Sequence, residues 1–254
     1  MYKEWNPTGT KKLVVLHGFT GSPRSFERVV EMLSEDIHVI APTLPGHGKI
    51  TYSYETMEMH HQINWLEDFL QQHQLKEASV LGYSMGGRLA MGYAQEFPVK
   101  QLILVSSSPG IELQNDRDAR HEADQNLAEK IRRNGLDWFV SYWENIPLFE
   151  SQKRLPVDVQ QMVRSERLQH DAEQLATSLE DFSTGNMPSY WNELENYHHP
   201  VHMVVGELDT KFVEIAKKMS ARLPNATLRI VPNVGHAIQV EIPQMFATII
   251  EDVL

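Results

Sequence analysis

The run Gly82-Tyr83-Ser84-Met85-Gly86-Gly87 constrains the fold of this chain more than any other stretch. Residues 78–81 ahead of it are short, partly apolar and contain valine, the pattern of a buried strand. Residues 85–96 behind it carry Leu89, Ala90, Tyr93 and Ala94 at helical spacing, and Phe97-Pro98 ends the run. A serine between glycines thus sits on a sharp strand-to-helix turn. Such a turn strains the serine backbone and lifts its hydroxyl clear of the sheet, and Gly82 and Gly86 leave room for strand and helix to approach. The helix starting behind Ser84 aims its free N–H groups at any anion formed there.

The rest of the chain repeats the strand-then-helix rhythm. Residues 12–16, 37–41, 101–105, 201–205 and 226–231 read as strands. Residues 25–33, 55–73, 212–222 and 246–254 read as helices. This alternation predicts an α/β fold, a mostly parallel sheet with right-handed crossovers and helices on both faces. From 111 to 190 the character changes to charged, helical and strand-poor, with Trp138, Trp143 and Phe149 as bulky apolar points. That stretch predicts a helical cap inserted in a core made of 1–110 and 191–254. Its aromatic residues pack by default, and a cap over a site must also turn some apolar surface downward.

Composition narrows the function. The 254 residues carry a formal net charge of −11, which disfavours nucleic acid and anionic membrane surfaces as partners. No cysteine is present, so disulfides, thiolate chemistry and cysteine metal sites are excluded. The start of the chain lacks the apolar core of a signal peptide, and no apolar run is long enough to span a bilayer, so a cytoplasmic protein is expected. Adjacent pairs such as His60-His61 and His198-His199 make poor metal sites because neighbouring side chains diverge.

A serine hydroxyl needs a neighbour to take its proton, and an imidazole held by a carboxylate does this. Asp209 follows the 201–205 strand and His236 follows the 226–231 strand, both in loops. With Ser84 they share the C-terminal edge of the sheet, where open α/β sheets bind ligands, in the order Ser…Asp…His. The loop after 101–105 holds serines and no carboxylate, so it offers no rival to Asp209. His17-Gly18-Phe19-Thr20-Gly21 leaves the first of these strands as a glycine-bearing loop. In sites of this architecture that loop and the residue after the nucleophile each give one oxyanion donor, here the N–H groups of Phe19 and Met85; an ordinary connecting loop is the other reading. His47, in the shaped loop Pro42-Thr43-Leu44-Pro45-Gly46-His47-Gly48, reads as structural. Arg88 lies one turn beyond Ser84, either at the pocket mouth or solvated. Arg117 and Arg120 share one helix face, which is either solvated or a local positive site suited to carboxylates.

With these pieces the chain resembles the α/β-hydrolase superfamily over essentially its whole length. Within it, the chain resembles the menaquinone-pathway family of 2-succinyl-6-hydroxy-2,4-cyclohexadiene-1-carboxylate synthases. The elbow with Arg88, Ser108-Pro109-Gly110 followed by Arg117 and Arg120, Trp143 with Pro147 and Phe149, Val163-Arg164-Ser165, and Gly206-Glu207-Leu208-Asp209-Thr210-Lys211-Phe212 carry this. Thr43 departs from the aspartate many relatives place before Leu-Pro-Gly-His-Gly. The resemblance implies a lyase that expels pyruvate from a small polyanionic substrate, needs no cofactor or metal, and works as a monomer. It implies Ser84 as base, relayed by His236 and held by Asp209, with Arg88, Arg120 and Arg164 on the carboxylates and Tyr83 and Trp143 shaping the pocket. The alternatives are a carboxylic-ester hydrolase with Ser84 as covalent nucleophile, and a non-catalytic small-molecule binder.

Overall fold

The computed structural model describes residues 1–49 and 56–254. Seven strands form one sheet: β1 (Tyr2–Trp5), β2 (Lys11–Leu16), β3 (Ile37–Pro42), β4 (Ser79–Tyr83), β5 (Gln101–Val105), β6 (Val201–Gly206) and β7 (Ala226–Val231). Their order is β1-β3-β2-β4-β5-β6-β7. All pairs are parallel except β1 with β3. β3, β4 and β5 are buried along their whole length, as expected of strands covered on both faces. Alternate residues point to opposite layers. Val14, Leu16, Leu102 and Met203 join one core; Leu13, Val15, Ile103 and Val204 join the other.

Eight of the helices are α1 (Glu27–Val30), α2 (Met59–Gln72), α3 (Met85–Glu96), α4 (Gln114–Trp143), α5 (Val157–Arg167), α6 (Ala172–Asp181), α7 (Thr210–Ser220) and α8 (Ile238–Glu241), and α9 (Pro243–Val253) closes the chain. The helix expected at 25–33 is split. Pro23–Phe26 winds as a 3-10 turn capped by Ser22, and only α1 behind it is α-helical. The helix expected at 55–73 is seen from Met59; position 55 lies outside the described residues. β1 was not expected. Tyr2-Lys3-Glu4-Trp5 alternates exposed and half-buried residues at a sheet edge, so it lacks the apolar run that marks the inner strands.

Between β5 and β6 the chain runs through α4, α5 and α6 with no strand among the described residues. α4 and α6 share a small core of Ala128, Ile131, Phe139, Leu175 and Leu179. α4 is two helical pieces joined at Gly135, whose φ of 81° and ψ of 175° break the helix. That conformation suits glycine because it lacks a β-carbon. No helix among the described residues is long and apolar enough to cross a membrane.

The topology selects one edge for ligands. The chain leaves β2 for β3, then returns to lay β4 on the other side of β2. The crevice at such a switch opens at the carboxyl ends of the strands, here between the loop after β2 and the turn after β4.

Candidate active site

Ser84 occupies the turn between β4 and α3 with φ 51° and ψ −107°. A non-glycine residue held there costs about 1–3 kcal/mol, which its surroundings must offset. Its N–H donates to Val105 O at 2.8 Å, and its C=O accepts from Ser107 Oγ at 2.9 Å. A β-carbon on Gly86 would collide with the Leu16 carbonyl, and one on Gly82 with Gly87. Gly82 thus lets β4 and α3 close upon each other, as the sequence predicts, and Gly86 lets α3 close upon the end of β2.

The three residues that the sequence placed at the sheet edge meet. His236 Nδ1–H donates to Asp209 Oδ2 at 2.6 Å, and Ser84 Oγ lies 3.0 Å from His236 Nε2. The Asp209 bond fixes the proton on Nδ1 and leaves Nε2 to accept from the serine. Both partners of Ser84 are buried, His236 to 1% exposure. The rings of Phe212, Tyr83 and Phe149 surround the imidazole at 4.8, 5.3 and 6.1 Å. Sequence reasoning missed the support beneath: Glu241 Oε2 accepts from Gly235 N–H at 2.9 Å, and its Oε1 from Ser151 Oγ at 2.8 Å. This carboxylate therefore ties the loop of His236 to the segment after α4.

Ser84 opens into a cavity of about 450 Å³. Phe19 and Met85 line it beside Ser84 and Asp209. Neither of their N–H groups bonds to a turn, loop or cap carbonyl among the described residues, so both remain available as donors. Arg88, Arg120 and Lys211 bring positive charge to the same cavity, and Trp143, Ser178, Ser183 and Thr184 complete much of its far wall. The Arg88 guanidinium lies over the Phe182 ring at 5.1 Å and donates to Phe182 O at 2.9 Å. Burial first, then the charge of Arg120, pull its pKa down to about 9, with Asp124 partly opposing. The group is still charged at neutral pH. Arg120 Nε donates to buried Asp124 at 2.7 Å. Among the described residues neither Arg88 nor Lys211 has a carboxylate partner. Nothing local in the sequence around Lys211 tells that it borders the cavity.

Two candidate residues lie elsewhere. Arg164 pairs with Glu144 and lines a separate cavity of about 310 Å³, with Arg167 and Phe149. Tyr83 is buried beneath Gly18, and its hydroxyl meets Gln239 rather than the cavity. Burial pushes that phenol up, so it is a neutral packing and hydrogen-bonding group.

Three further histidines, His17, His47 and His170, are buried next to the Phe19 loop. Burial holds all three below the usual 6.5, His17 at about 3. The unfolded chain binds protons at these rings below pH 6.5, whereas the folded chain does not. The stabilisation is therefore complete above pH 6.5 and is lost as pH falls from 6.5 toward the folded values. The expected slope is roughly 1.4 kcal/mol per histidine per pH unit. Urea midpoints at pH 7.5, 6 and 5 should fall steeply and in order; equal midpoints would contradict neutral burial.

The alpha/beta hydrolase fold family matches residues 11–243. A Bacillus subtilis protein provisionally named as a 2-succinyl-6-hydroxy-2,4-cyclohexadiene-1-carboxylate synthase is 39% identical, over 98% of this chain and 92% of its own. The synthase of that name from Enterobacter sp. strain 638 is 30% identical, over 95% of this chain and 91% of its own. The structure of MenH from S. aureus superposes with a TM-score of 0.95 at 36% identity, covering 99% of this chain and 96% of that one. A thermophilic esterase from Thermogutta terrifontis, at 21% identity and a TM-score of 0.88, shares the fold. The chain therefore belongs to the alpha/beta hydrolase family, in the branch that holds the 2-succinyl-6-hydroxy-2,4-cyclohexadiene-1-carboxylate synthases.

Proposed function

We propose that this protein is a carbon–oxygen lyase that eliminates pyruvate from 2-succinyl-5-enolpyruvyl-6-hydroxy-3-cyclohexene-1-carboxylate, giving the 2,4-cyclohexadiene in menaquinone biosynthesis. The observation that carries it is the buried Arg88, which makes no ion pair with a carboxylate among the described residues, in the cavity that Ser84 faces. A charge left this way is costly unless the ligand brings its counterion. The substrate has carboxylates on the ring, the succinyl arm and the enolpyruvyl arm. The cavity offers Arg88, Arg120 and Lys211.

In this reading Ser84 Oγ takes the ring proton next to the succinyl ketone while its own proton passes to His236 Nε2. Asp209 steadies the imidazolium. The electron pair from the broken C–H bond moves onto the ketone oxygen, where the N–H groups of Phe19 and Met85 receive it. As the enolate collapses, the ring double bonds shift and the ring C–O bond breaks. Pyruvate leaves as its enolate and takes up the proton held by His236. No bond forms between Ser84 and the substrate. Residues 111–190 act as the cap, placing Arg120 and Trp143 over the triad. Arg164 takes no part in holding the substrate, since it lines a separate cavity, where it pairs with Glu144.

The ester-hydrolase reading draws on the same triad and oxyanion donors. It leaves Arg88 without an anionic partner, because an uncharged ester cannot pair with it. Incubation with the enolpyruvyl substrate should release pyruvate and raise the diene absorbance in a one-to-one ratio. Absence of both, with cleavage of simple esters, would favour the hydrolase.

A further inference from the structure

The loop that carries Phe19 is held in an unusual way. Its three consecutive peptide groups, from Gly18 to Gly21, each bond to a different buried imidazole. His17 Nδ1–H donates to Gly18 O at 2.9 Å. Thr20 N–H donates to His47 Nε2 at 3.2 Å. His170 Nε2–H donates to Thr20 O at 2.9 Å. The second nitrogen of each ring is also engaged with backbone. Leu44 N–H donates to His17 Nε2, His47 Nδ1–H to Pro45 O, and Gly48 N–H to His170 Nδ1. Every ring thus donates once and accepts once, which only a neutral imidazole can do. His47 stands edge-on between the other two at 4.9 and 5.4 Å.

The geometry matters because a peptide is planar and trans, so fixing a C=O fixes the N–H on its far side. Gly18 O and Phe19 N–H belong to one peptide. Thr20, at φ 65°, keeps the next two peptides in a conformation that bulky residues avoid. His170 stands between α5 and α6, far along the chain, and the next residue's N–H also donates to Gly48 O at 3.0 Å.

We propose that His47 and His170 are positioning residues that preorganise the Phe19 oxyanion donor, and that His170 makes this donor's geometry depend on seating of the segment between β5 and β6. This rests on Phe19 N–H being an oxyanion donor, as in the reading above. Neither ring touches the substrate. Each acts through the Thr20 peptides.

Asparagine and glutamine separate the two ends of each ring. At position 170, asparagine can still accept from Gly48 N–H but cannot reach Thr20 O, whereas glutamine places a donor near the lost Nε2. At position 47, asparagine can still donate to Pro45 O but cannot accept from Thr20 N–H, whereas glutamine can. The oxyanion site is read with 4-carboxyphenylboronic acid, whose adduct on Ser84 puts an oxygen in it. Expected are about 10-fold weaker boronate binding and about 30-fold lower kcat in His47→Asn and His170→Asn, with KM within about 2-fold. His47→Gln and His170→Gln should recover most of both.

Folded asparagine variants with unchanged boronate affinity would overturn the proposal. A wild type that binds boronate but releases no pyruvate, with the asparagine loss intact, would instead overturn the lyase reading alone. If the variants do not fold, nitrogen NMR of the wild-type rings decides. His47 should carry its proton on Nδ1 and His170 on Nε2 at neutral pH; the same tautomer at both, or a charged ring, would refute the clamp.

Discussion

Ser84→Ala is expected to lower kcat for pyruvate release by about 10³-fold and leave KM nearly unchanged. A positioned general base contributes about 10²–10⁴ in rate, and the cavity would keep its cations and oxyanion donors. His236 Nε2 would remain, but it lies 3.0 Å behind the position of the lost Ser84 Oγ. The alanine also removes little stability, because Val105 and Ser107 hold the backbone of residue 84 rather than its side chain. Steady-state kinetics with the enolpyruvyl substrate measure this. A loss smaller than about 10²-fold would remove Ser84 from the chemistry, a threshold set by the weakest effect expected of a base.

Arg88→Ala is expected to cut kcat/KM for the polyanion by about 10²–10³-fold, mostly through KM. Hydrogen bonds between a guanidinium and a carboxylate contribute about 1.5–3 kcal/mol each, and Arg88 presents a forked donor face that no carboxylate among the described residues bonds. Any residual cleavage of an uncharged ester should change little, because no ester group calls on that charge. Arg164→Ala supplies the contrast. Its charge is already spent on Glu144 outside the Ser84 cavity, so activity should stay within about 3-fold. Equal losses from the two arginine variants would contradict the assignment of the cavity's charge.

The triad was readable in advance because each member sits where local chemistry is explicit. Ser84 lies on a glycine-flanked turn, and Asp209 and His236 follow apolar runs that must end at the same sheet edge. β3, β4 and β5 were readable for the same reason, since full burial writes itself as a mostly apolar run. β1 was not, because an edge strand with Lys3 and Glu4 has no such run. The break at Gly135 was also invisible: helical periodicity continues on either side, and the glycine alone does not say which way it bends.

Charged side chains between β5 and β6 were the hardest to place. Arg120 and Arg164 look alike in sequence, each on a helix among mixed charges. Only packing decides that Arg120, paired with Asp124, lines the Ser84 cavity while Arg164, paired with Glu144, lines another. The three imidazoles around the Phe19 loop show the same limit. His47 could be read as structural from its loop, yet its partners come from residue 20 and its neighbour from residue 170. Such contacts are set by how α5 and α6 sit against the sheet, and no local pattern records them.

The account turns on a serine that accepts a proton and makes no bond to carbon. Intact-mass spectrometry of the wild-type protein, quenched during steady turnover of the enolpyruvyl substrate, reads this directly. The mass should remain that of the unmodified chain while pyruvate accumulates. A species heavier by a substrate-derived group, absent in Ser84→Ala, would contradict it.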